Sequence, residues 1–277
     1  MDSLAVAAAL LSALIHASWN ALLKAGADRV VDSALVALGW FALGAVGIAI
    51  GGALPARALP YVIATAVIHT VYWTALTKAY AAGDLSHVYT LSRGLVPLLV
   101  AFAAAFAAHE MPHLRHAVGI AMVSAGVCAV GASRHAPHKA TLWALAIAGT
   151  IAAYSLIDAL GARSAGSALV YSAWMLFASA VPLAFVALWR RGVRTLLRTA
   201  RADWRRGVSA GIVSGLGYGI VLFAQTRAPV AQVTALRETS VAFAAVIAWL
   251  VLGERLGARR WLGALIVASG AVVIALV

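Results

Sequence analysis

Two arginines lie inside long runs of apolar residues, Arg93 in the first half of the chain and Arg237 in the second. A charged side chain in such a setting is costly unless it has a partner or a function. A guanidinium can hold a carboxylate or a phosphate through two parallel hydrogen bonds, which a lysine ammonium does not do. The pair therefore indicates a binding site for a small anionic or zwitterionic molecule. The alternative is that each arginine bonds a neighbouring helix and only holds the protein together.

Two acidic residues accompany these arginines. Glu238 follows Arg237 directly, so on a helix the two side chains point about 100° apart and need not pair. Glu238 could form an ion pair with Arg93 or exchange a proton during a transport cycle. Asp158 is expected near the end of its own apolar run, at the level of lipid headgroups. Both carboxyl groups are candidates for proton coupling.

Further polar and aromatic side chains lie on the same apolar runs. Histidines can bind substrate or relay protons, and aromatic rings can stack on a substrate ring or amine. Hydrogen bonding between helices and plain packing are the alternatives. These candidates for substrate binding are His16, Trp19, Asn20, His69, Trp73, Tyr89, Tyr154 and Tyr218, with Tyr72 beside Trp73.

No cofactor or metal site is expected. The pairs His113/His116 and His135/His138 are spaced three residues apart, but they lie in or near loops and lack a third, carboxylate-bearing ligand. Solvated loop histidines are the simpler interpretation. The single cysteine, Cys128, excludes both a disulfide framework and a thiolate metal site.

The composition shows what kind of elements must position these residues. Of the 277 residues, 64% are hydrophobic and 11% are charged, and the mean hydropathy is +0.95. A soluble fold of this size needs more polar surface than the chain can supply. A soluble enzyme, a nucleic-acid-binding domain and a disordered chain are therefore excluded, and the net charge of +12 does not indicate a nucleic-acid partner.

Ten apolar runs are long enough to cross a bilayer as helices, which need about 20 residues each. Membrane β-strands would alternate in polarity, and these runs do not. The first run is predicted to be a retained span, because it lacks a basic start and contains His16, Trp19 and Asn20. The predicted spans of this all-α integral membrane protein are 3–23, 30–52, 59–79, 86–108, 113–132, 140–160, 167–189, 207–226, 231–252 and 260–277.

Lysine and arginine in the loops indicate orientation. Loops after odd-numbered spans hold fifteen of the 21 cations, seven of them between residues 190 and 206, whereas loops after even-numbered spans hold four. This count favours both termini outside the cytoplasm. The arginine-rich segment is expected to lie on the membrane surface, where anionic headgroups attract it. The Ala/Arg-rich composition is typical of a GC-rich bacterium and suggests the cytoplasmic (inner) membrane.

The chain contains an internal repeat. A shift of 144 residues places Arg93 on Arg237, Glu110 on Glu254 and Arg115 on Arg259 without a gap, and it also aligns Gly119 with Gly263 and Gly126 with Gly270. Two five-span halves are predicted, 1–133 and 139–277. Because five is odd, the halves cross the membrane in opposite senses, an arrangement typical of secondary transporters with a central substrate site.

Several segments resemble the EamA family of the drug/metabolite transporter superfamily. Leu252-Gly253-Glu254-Arg255-Leu256, followed by Gly263 and Gly270, is similar to the end of the EamA repeat, and His109-Glu110 is a weaker copy. Residues 16–24, 89–97 and 236–240 are similar to the family's first, fourth and ninth spans. The resemblance implies a cavity lined by spans 1, 3, 4, 6, 8 and 9, and cytoplasmic termini, in conflict with the charge count. Gly94 departs from the pattern, since it takes the place of Glu238.

The sequence therefore predicts a secondary transporter, most simply an exporter of an amino-acid-like metabolite working by alternating access, and not an enzyme. Its partners are a small-molecule substrate and the lipid bilayer, with a homodimer as one candidate state. One alternative is efflux of hydrophobic or cationic drug-like compounds, with Glu238 and Asp158 as counter-ions. A remote alternative is an intramembrane enzyme, although no hydrolase motif lies in a span.

Overall fold

The protein is built from membrane-crossing helices. The computed structural model describes residues 1–24, 28–82, 85–131, 137–250 and 257–276, and within these ranges it contains helices and no strand. Ten segments are long and apolar enough to cross a membrane, which confirms the prediction of an all-α membrane protein with ten spans. The helices are α1 (Ser3–Lys24), α2 (Arg29–Gly51), α3 (Leu59–Ala82), α4 (Leu85–Ala107), α5 (Leu114–Gly131), α6 (His138–Ala165), α7 (Ala168–Arg227), α8 (Val230–Arg237), α9 (Ser240–Leu250) and α10 (Ala258–Leu276).

The two ends of the helix bundle are named here by the helix ends that they carry. Side A is where α1, α3 and α5 end, and side B is where they begin. The arginine-rich segment 190–206 lies on side A, and the turns between α4 and α5 and between α7 and α8 lie on side B. The motif residues 252–256 and the loop residues 132–136, including His135, lie outside the described residues.

Helix α7 contains two spans joined through the arginine-rich segment. The crossings are Ala168–Arg198 and Asp203–Arg227, and Gly192 interrupts the helix with φ 70° and ψ 158°. A positive φ of this size favours glycine, because it has no Cβ. The segment that the sequence predicts on the membrane surface is therefore helical on both sides of a single sharp break.

Two ion pairs tie this segment to the start of α2. The Nε of Arg191 donates to Oδ2 of Asp28 over 2.8 Å, and Nη2 of Arg206 donates to Oδ1 of Asp32 over 2.9 Å. Partial burial raises the pKa of Asp28, but hydrogen bonds from Arg191 and from backbone N–H groups such as that of Val30 outweigh it, so the pKa lies below its ordinary value. Asp28 thus remains ionised at neutral pH and caps α2.

The ninth span is broken in its interior, which the sequence prediction of one unbroken span over 231–252 missed. Helix α8 ends at Arg237, a turn covers Glu238 and Thr239, and α9 begins at Ser240. The Thr239 hydroxyl donates to the Leu236 carbonyl over 2.7 Å, which satisfies backbone that the break frees. Discontinuous helices of this kind form binding sites in other transporter folds.

Helix α6 is longer than predicted, and this changes the depth of Asp158. The helix runs to Ala165 instead of ending near residue 160, and Asp158 has no exposed surface. The expectation that Asp158 lies at headgroup level is therefore wrong. The physical reason is that the last turns of α6 are buried by protein, so they can contain polar residues within the span.

Helices α5 and α10 cross at glycines in a reciprocal pattern. A Cβ on Gly119 would lie 3.0 Å from the Gly270 carbonyl oxygen, and a Cβ on Gly126 would lie 2.8 Å from that of Gly263. The sequence repeat equates Gly119 with Gly263 and Gly126 with Gly270, so each contact is the repeat image of the other. A two-fold axis between α5 and α10 produces this pattern. We therefore propose that the two repeats are 1–133 and 139–277.

Candidate functional site

A central cavity of about 650 Å³ lies between the helices. Residues at the side A ends of the helices line its mouth, among them Leu23, Arg29, Val130 and Arg260. On side B the connections 52–58, 108–113 and 228–229, all described, contribute no lining residue. Among the described residues the cavity therefore extends to the side A ends of the helices and is closed towards side B.

The lining helices include all six that the resemblance implies and the other four as well, since α5 contributes Val130 and α10 contributes Arg260. Spans 1, 3, 4, 6, 8 and 9 all contribute side chains. Helix α2 adds Asp32 and Trp40, and the first span of α7 adds Met175 and Leu176. The expected set was incomplete because α2 packs closely against α7, which brings one face of each helix towards the cavity.

A buried cluster of four side chains lies at the inner end of the cavity. Arg93 Nη2 lies 2.9 Å from His16 Nε2, and Arg237 Nη2 lies 3.4 Å from His16 Nδ1. Arg93 Nε lies 3.1 Å from Glu238 Oε2, close enough for an ion pair but without the alignment of a hydrogen bond. The two arginines, which are 144 residues apart in the sequence, therefore meet on opposite edges of one imidazole ring.

His16 cannot satisfy both arginines. A neutral imidazole has one acceptor nitrogen and one N–H group, and a guanidinium has only donors. One of the two Arg–His16 contacts therefore places donor against donor. In addition, the Nε atoms of Arg93 and Arg237 have no hydrogen-bond partner among the described residues. The cluster thus has spare donors in a buried place, which an anion with two oxygens would satisfy.

Asp158 forms the next layer of this polar core. Its Oδ1 accepts from the Tyr171 hydroxyl over 2.8 Å, and its Oδ2 accepts from the Tyr218 hydroxyl over 2.6 Å. The Tyr218 ring in turn faces the Arg237 guanidinium, with 5.1 Å between the guanidinium carbon and the ring centroid. Asp158 therefore influences Arg237 through Tyr218 rather than by direct contact.

Aromatic rings form the wall beside the arginines. Tyr154 lies 4.6 Å from His69 and 6.0 Å from Tyr218, measured between ring centroids, and Tyr72 and Trp73 continue the row at 5.7 Å from each other. His69 is held by Ser179, whose Oγ lies 3.2 Å from Nδ1. This wall offers apolar faces to the uncharged part of a substrate.

Most residues singled out from the sequence lie on the cavity wall. Asn20 donates to the His16 carbonyl over 2.8 Å, and Trp19 packs edge-on against the His16 ring. Glu238 and Asp158 are buried beside the cavity and do not line it. The predicted residues that line it are His16, Trp19, Asn20, His69, Trp73, Tyr89, Arg93, Tyr154, Tyr218 and Arg237.

Some lining residues were missed in the sequence. Trp40, whose Nε1 donates to Ser214 Oγ over 2.9 Å, and the cavity-lining Asp32 lie on α2, where no site residue was expected. Asp32 lies at the start of the predicted span 30–52, and no role was predicted for it. The signal that could have identified Trp40 in the sequence is its position as an aromatic residue in the interior of the second predicted span.

The asymmetry between Gly94 and Glu238 has a packing reason. A Cβ on Gly94 would lie 3.1 Å from the Ser124 carbonyl oxygen and 3.2 Å from the Cys128 nitrogen. Helix α5 therefore leaves no room for a carboxylate at this position of the first repeat. The two arginines share a single nearby acid, and Glu238 pairs with Arg93 of the other repeat.

Ten membrane helices around a central cavity with buried charges define a polytopic membrane transporter fold. The chain belongs to the EamA-like transporter family, because the model of that family matches residues 138–276. It is therefore a DMT-type membrane transporter, as the sequence resemblance implied.

Comparison with solved structures supports the same fold. A structure titled "Crystal structure of protein" superimposes with a TM-score of 0.83 at 19% identity, covering 100% of this chain and 98% of the other. At that identity the likeness concerns the fold alone. No curated protein sequence matches the chain. Among the described residues, no group of three or more His, Cys, Asp or Glu side chains could hold a metal ion.

Proposed function

We propose that the protein is a secondary transporter that exports a small anionic or zwitterionic metabolite, with an amino-acid-like compound as the simplest example. The observation that carries this proposal is the surplus of positive charge in the buried cluster. Arg93 has Glu238 as its ion-pair partner, whereas Arg237 forms no ion pair with the described residues and contacts His16 and the Tyr218 ring. A substrate carboxylate would supply the missing counter-charge.

Binding would use the spare donors of the cluster. The carboxylate accepts from Arg237 Nε and from the donor that His16 leaves unsatisfied, and the remainder of the substrate lies against the aromatic wall. The bound anion removes the cost of an uncompensated buried cation, which favours rearrangement of the helices around it. Rocking of the two repeats then exposes the site to side B. This is alternating access, and it requires two packings of similar free energy.

Efflux of cations is less well supported. The two carboxylates proposed as counter-ions are both occupied, Glu238 by Arg93 and Asp158 by the hydroxyls of Tyr171 and Tyr218. The charged groups that line the inner cavity are arginines, which repel a cation. We infer a carrier and not an enzyme, because the family to which the chain belongs is one of transporters.

A series of matched analogues tests the charge of the substrate. Purified protein in liposomes is expected to exchange phenylalanine or alanine in counterflow, and to reject the corresponding amides by a factor of about a hundred or more, since the amide lacks the anionic acceptor. Phenethylamine, which keeps the ring and the amine without the carboxylate, should not exchange. Preferred exchange of phenethylamine would support the cationic alternative and contradict the proposal.

Orientation links the structure to the direction of transport. If the positive charge of segment 190–206 places side A in the cytoplasm of a bacterial inner membrane, the cavity faces the compartment from which an exporter takes its substrate. A cysteine at the exposed Leu197, in a chain carrying Cys128→Ala, reports this orientation. Labelling of intact cells by an impermeant maleimide would place side A outside and support an importer's geometry instead. We also propose a homodimer as a candidate oligomeric state. Mass photometry of the protein in nanodiscs would measure it.

Coupling to protons is proposed to use Asp158 rather than Glu238. Both were candidates from the sequence, but Glu238 forms an ion pair with Arg93, whereas Asp158 accepts hydrogen bonds from the hydroxyl groups of Tyr171 and Tyr218. Asp158→Asn is therefore expected to abolish the acceleration of uptake by an imposed pH gradient, while substrate counterflow, which needs no net proton movement, continues. Glu238→Gln is the comparison variant, and an unchanged response to the pH gradient in Asp158→Asn would contradict this assignment.

A further inference from the structure

A compact set of polar contacts closes side B. The Arg163 Nη1 donates to Glu110 Oε1 over 2.5 Å, while its Nε donates to the Gln225 carbonyl over 2.9 Å and its Nη2 to the Ala228 carbonyl over 3.0 Å. The other carboxylate oxygen of Glu110 accepts from the backbone N–H of Val230 over 2.7 Å. Two side chains thereby join the α4–α5 turn, the end of α6, the end of α7 and the start of α8.

Glu110 meets a need that α8 cannot meet by itself. The N-cap of α8 is Pro229, which makes no side-chain cap hydrogen bond, and the residues of the first turn, from Val230 to Val233, are buried away from water. The first N–H groups of a helix lack intrahelical partners and carry a partial positive charge. A carboxylate from the first repeat therefore caps a helix of the second repeat, and the cap exists only while the two repeats are in this packing.

The turn that presents Glu110 has an unusual backbone. His109 has φ +54°, the left-handed region that non-glycine residues rarely adopt, and the Glu110 N–H bonds to the Ala104 carbonyl over 3.1 Å. These features end α4 in a turn that contains one left-handed residue. The turn fixes the direction of Glu110 towards Arg163 and α8, so the contact does not depend on the chance orientation of a flexible loop.

The contacts lie between the buried cluster and the water on side B. A buried layer, in which Gln225 Nε2 lies 3.4 Å from Thr234 Oγ1, separates them from Arg237 on α8. The side chains of Arg163 and Glu110 are 29% and 17% exposed, so water reaches them from side B. A substrate that leaves Arg237 towards side B must therefore pass through this layer and these contacts.

We propose that Glu110 and Arg163 form the gate on side B: their contacts with α8 hold that side closed and must break before the cavity opens there. This inference rests on the alternating access proposed above. Glu110 is thus a positioning residue for transport, since it acts on α8 and Arg163 without touching the substrate.

Distance measurements between spin labels test the gate. Labels at Met111 and Leu169, both exposed and on side B in different repeats, are introduced into the full chain with Cys128→Ala in nanodiscs. Glu110→Gln removes the charge that strengthens both hydrogen bonds, so the side-B-open population, read as a longer label distance, is expected to rise about tenfold. Glu110→Asp, which keeps the charge on a shorter side chain, should give an intermediate rise.

The control variant is Asp2→Asn. It breaks the Asp2–Arg227 ion pair of 3.3 Å, which joins the same two repeats on the same side but is exposed. An exposed pair contributes little, so the label distances should stay as in the parent chain. The proposal is overturned if Glu110→Gln lowers the unfolding temperature without changing the distances, or if Asp2→Asn changes them equally.

A second substitution separates the gate from general stability. Because Glu110 and Arg163 act as one unit, adding Arg163→Gln to Glu110→Gln should raise the open population by much less than Arg163→Gln does alone. Additive effects would overturn the pairing. The measurement needs no substrate, so a failed analogue series together with shifted distances would refute the substrate assignment and leave the gate standing.

Discussion

Replacing Arg93 with methionine should both stop transport and destabilise the protein severely. The substitution leaves Glu238, which is almost completely buried, without its ion-pair partner. Removing one partner of a buried ion pair typically costs about 3–5 kcal/mol, because the remaining charge has no compensation. We therefore expect a large fall in the unfolding temperature of the purified protein, measured by the intrinsic fluorescence of its tryptophans.

The double variant Arg93→Met, Glu238→Met shows whether this explanation holds. With both charges removed, most of the lost stability should return, while transport stays absent because the anion site is lost. Arg227→Met is a matched control, since its partner Asp2 is exposed and the expected change is within about 1 kcal/mol. If the double variant is as unstable as Arg93→Met alone, the ion pair does not account for the role of Arg93.

Replacing Arg237 with glutamine should weaken substrate binding strongly while lowering the stability of the protein only slightly. No carboxylate of the described residues lies in ion-pair contact with Arg237, so its removal strands no buried acid. The expected loss of stability is that of its contact with the Tyr218 ring, about 1–2 kcal/mol. Binding of the substrate carboxylate loses a charge-assisted pair, so its affinity should fall about a hundredfold.

The neutral amide of the substrate provides the comparison for Arg237→Gln. The amide does not use the positive charge, so its weak binding, measured as a thermal shift at high concentration, should be almost the same in the parent chain and the variant. Equal losses for the carboxylate and the amide would mean that Arg237 shapes the cavity without recognising the anion. Arg93 and Arg237, related by the sequence repeat, are thus both expected to contact the anion, but only Arg93 also compensates the buried charge of Glu238.

The sequence predicts the positions of the spans and of the buried charges well. Apolar runs separated by cations predict the ten spans, and scarce residues such as Arg93, Arg237 and Glu110 carry the prediction of a repeat, because chance matches at them are improbable. A charged residue inside a span is informative for a second reason. Lipid tolerates a charge poorly, so the side chain is expected to lie in the protein interior.

Depth and partners could not be predicted from the same pattern. Asp158 lies near the end of its predicted apolar run, yet Tyr171 and Tyr218, which are 13 and 60 residues away in the chain, hold it in the core. The break at Glu238–Thr239 was missed because the segment Val230–Leu250 as a whole is long and apolar enough to cross a membrane. The sequence Glu-Thr-Ser was the available signal, since hydroxyl side chains bond nearby carbonyls and so stabilise interruptions of a helix.

The gate and the direction of the cavity also lie beyond sequence patterns. His109-Glu110 is visible as a copy of a family motif, but its contacts with Arg163 and Val230 depend on how the repeats pack. A transporter sequence must be compatible with two packings of its helices, one open to each side, so the sequence alone does not show which packing a structure will have. Only a structure shows which side is closed in one of the two states.

The most direct test of the central claim is to locate a bound substrate. A crystal structure with 4-iodophenylalanine, whose iodine is found by anomalous scattering, should place the carboxylate between Arg93 and Arg237 and the iodinated ring against the aromatic wall of Tyr72, Trp73 and Tyr154. A carboxylate that contacts neither arginine in a fully occupied cavity would contradict the account.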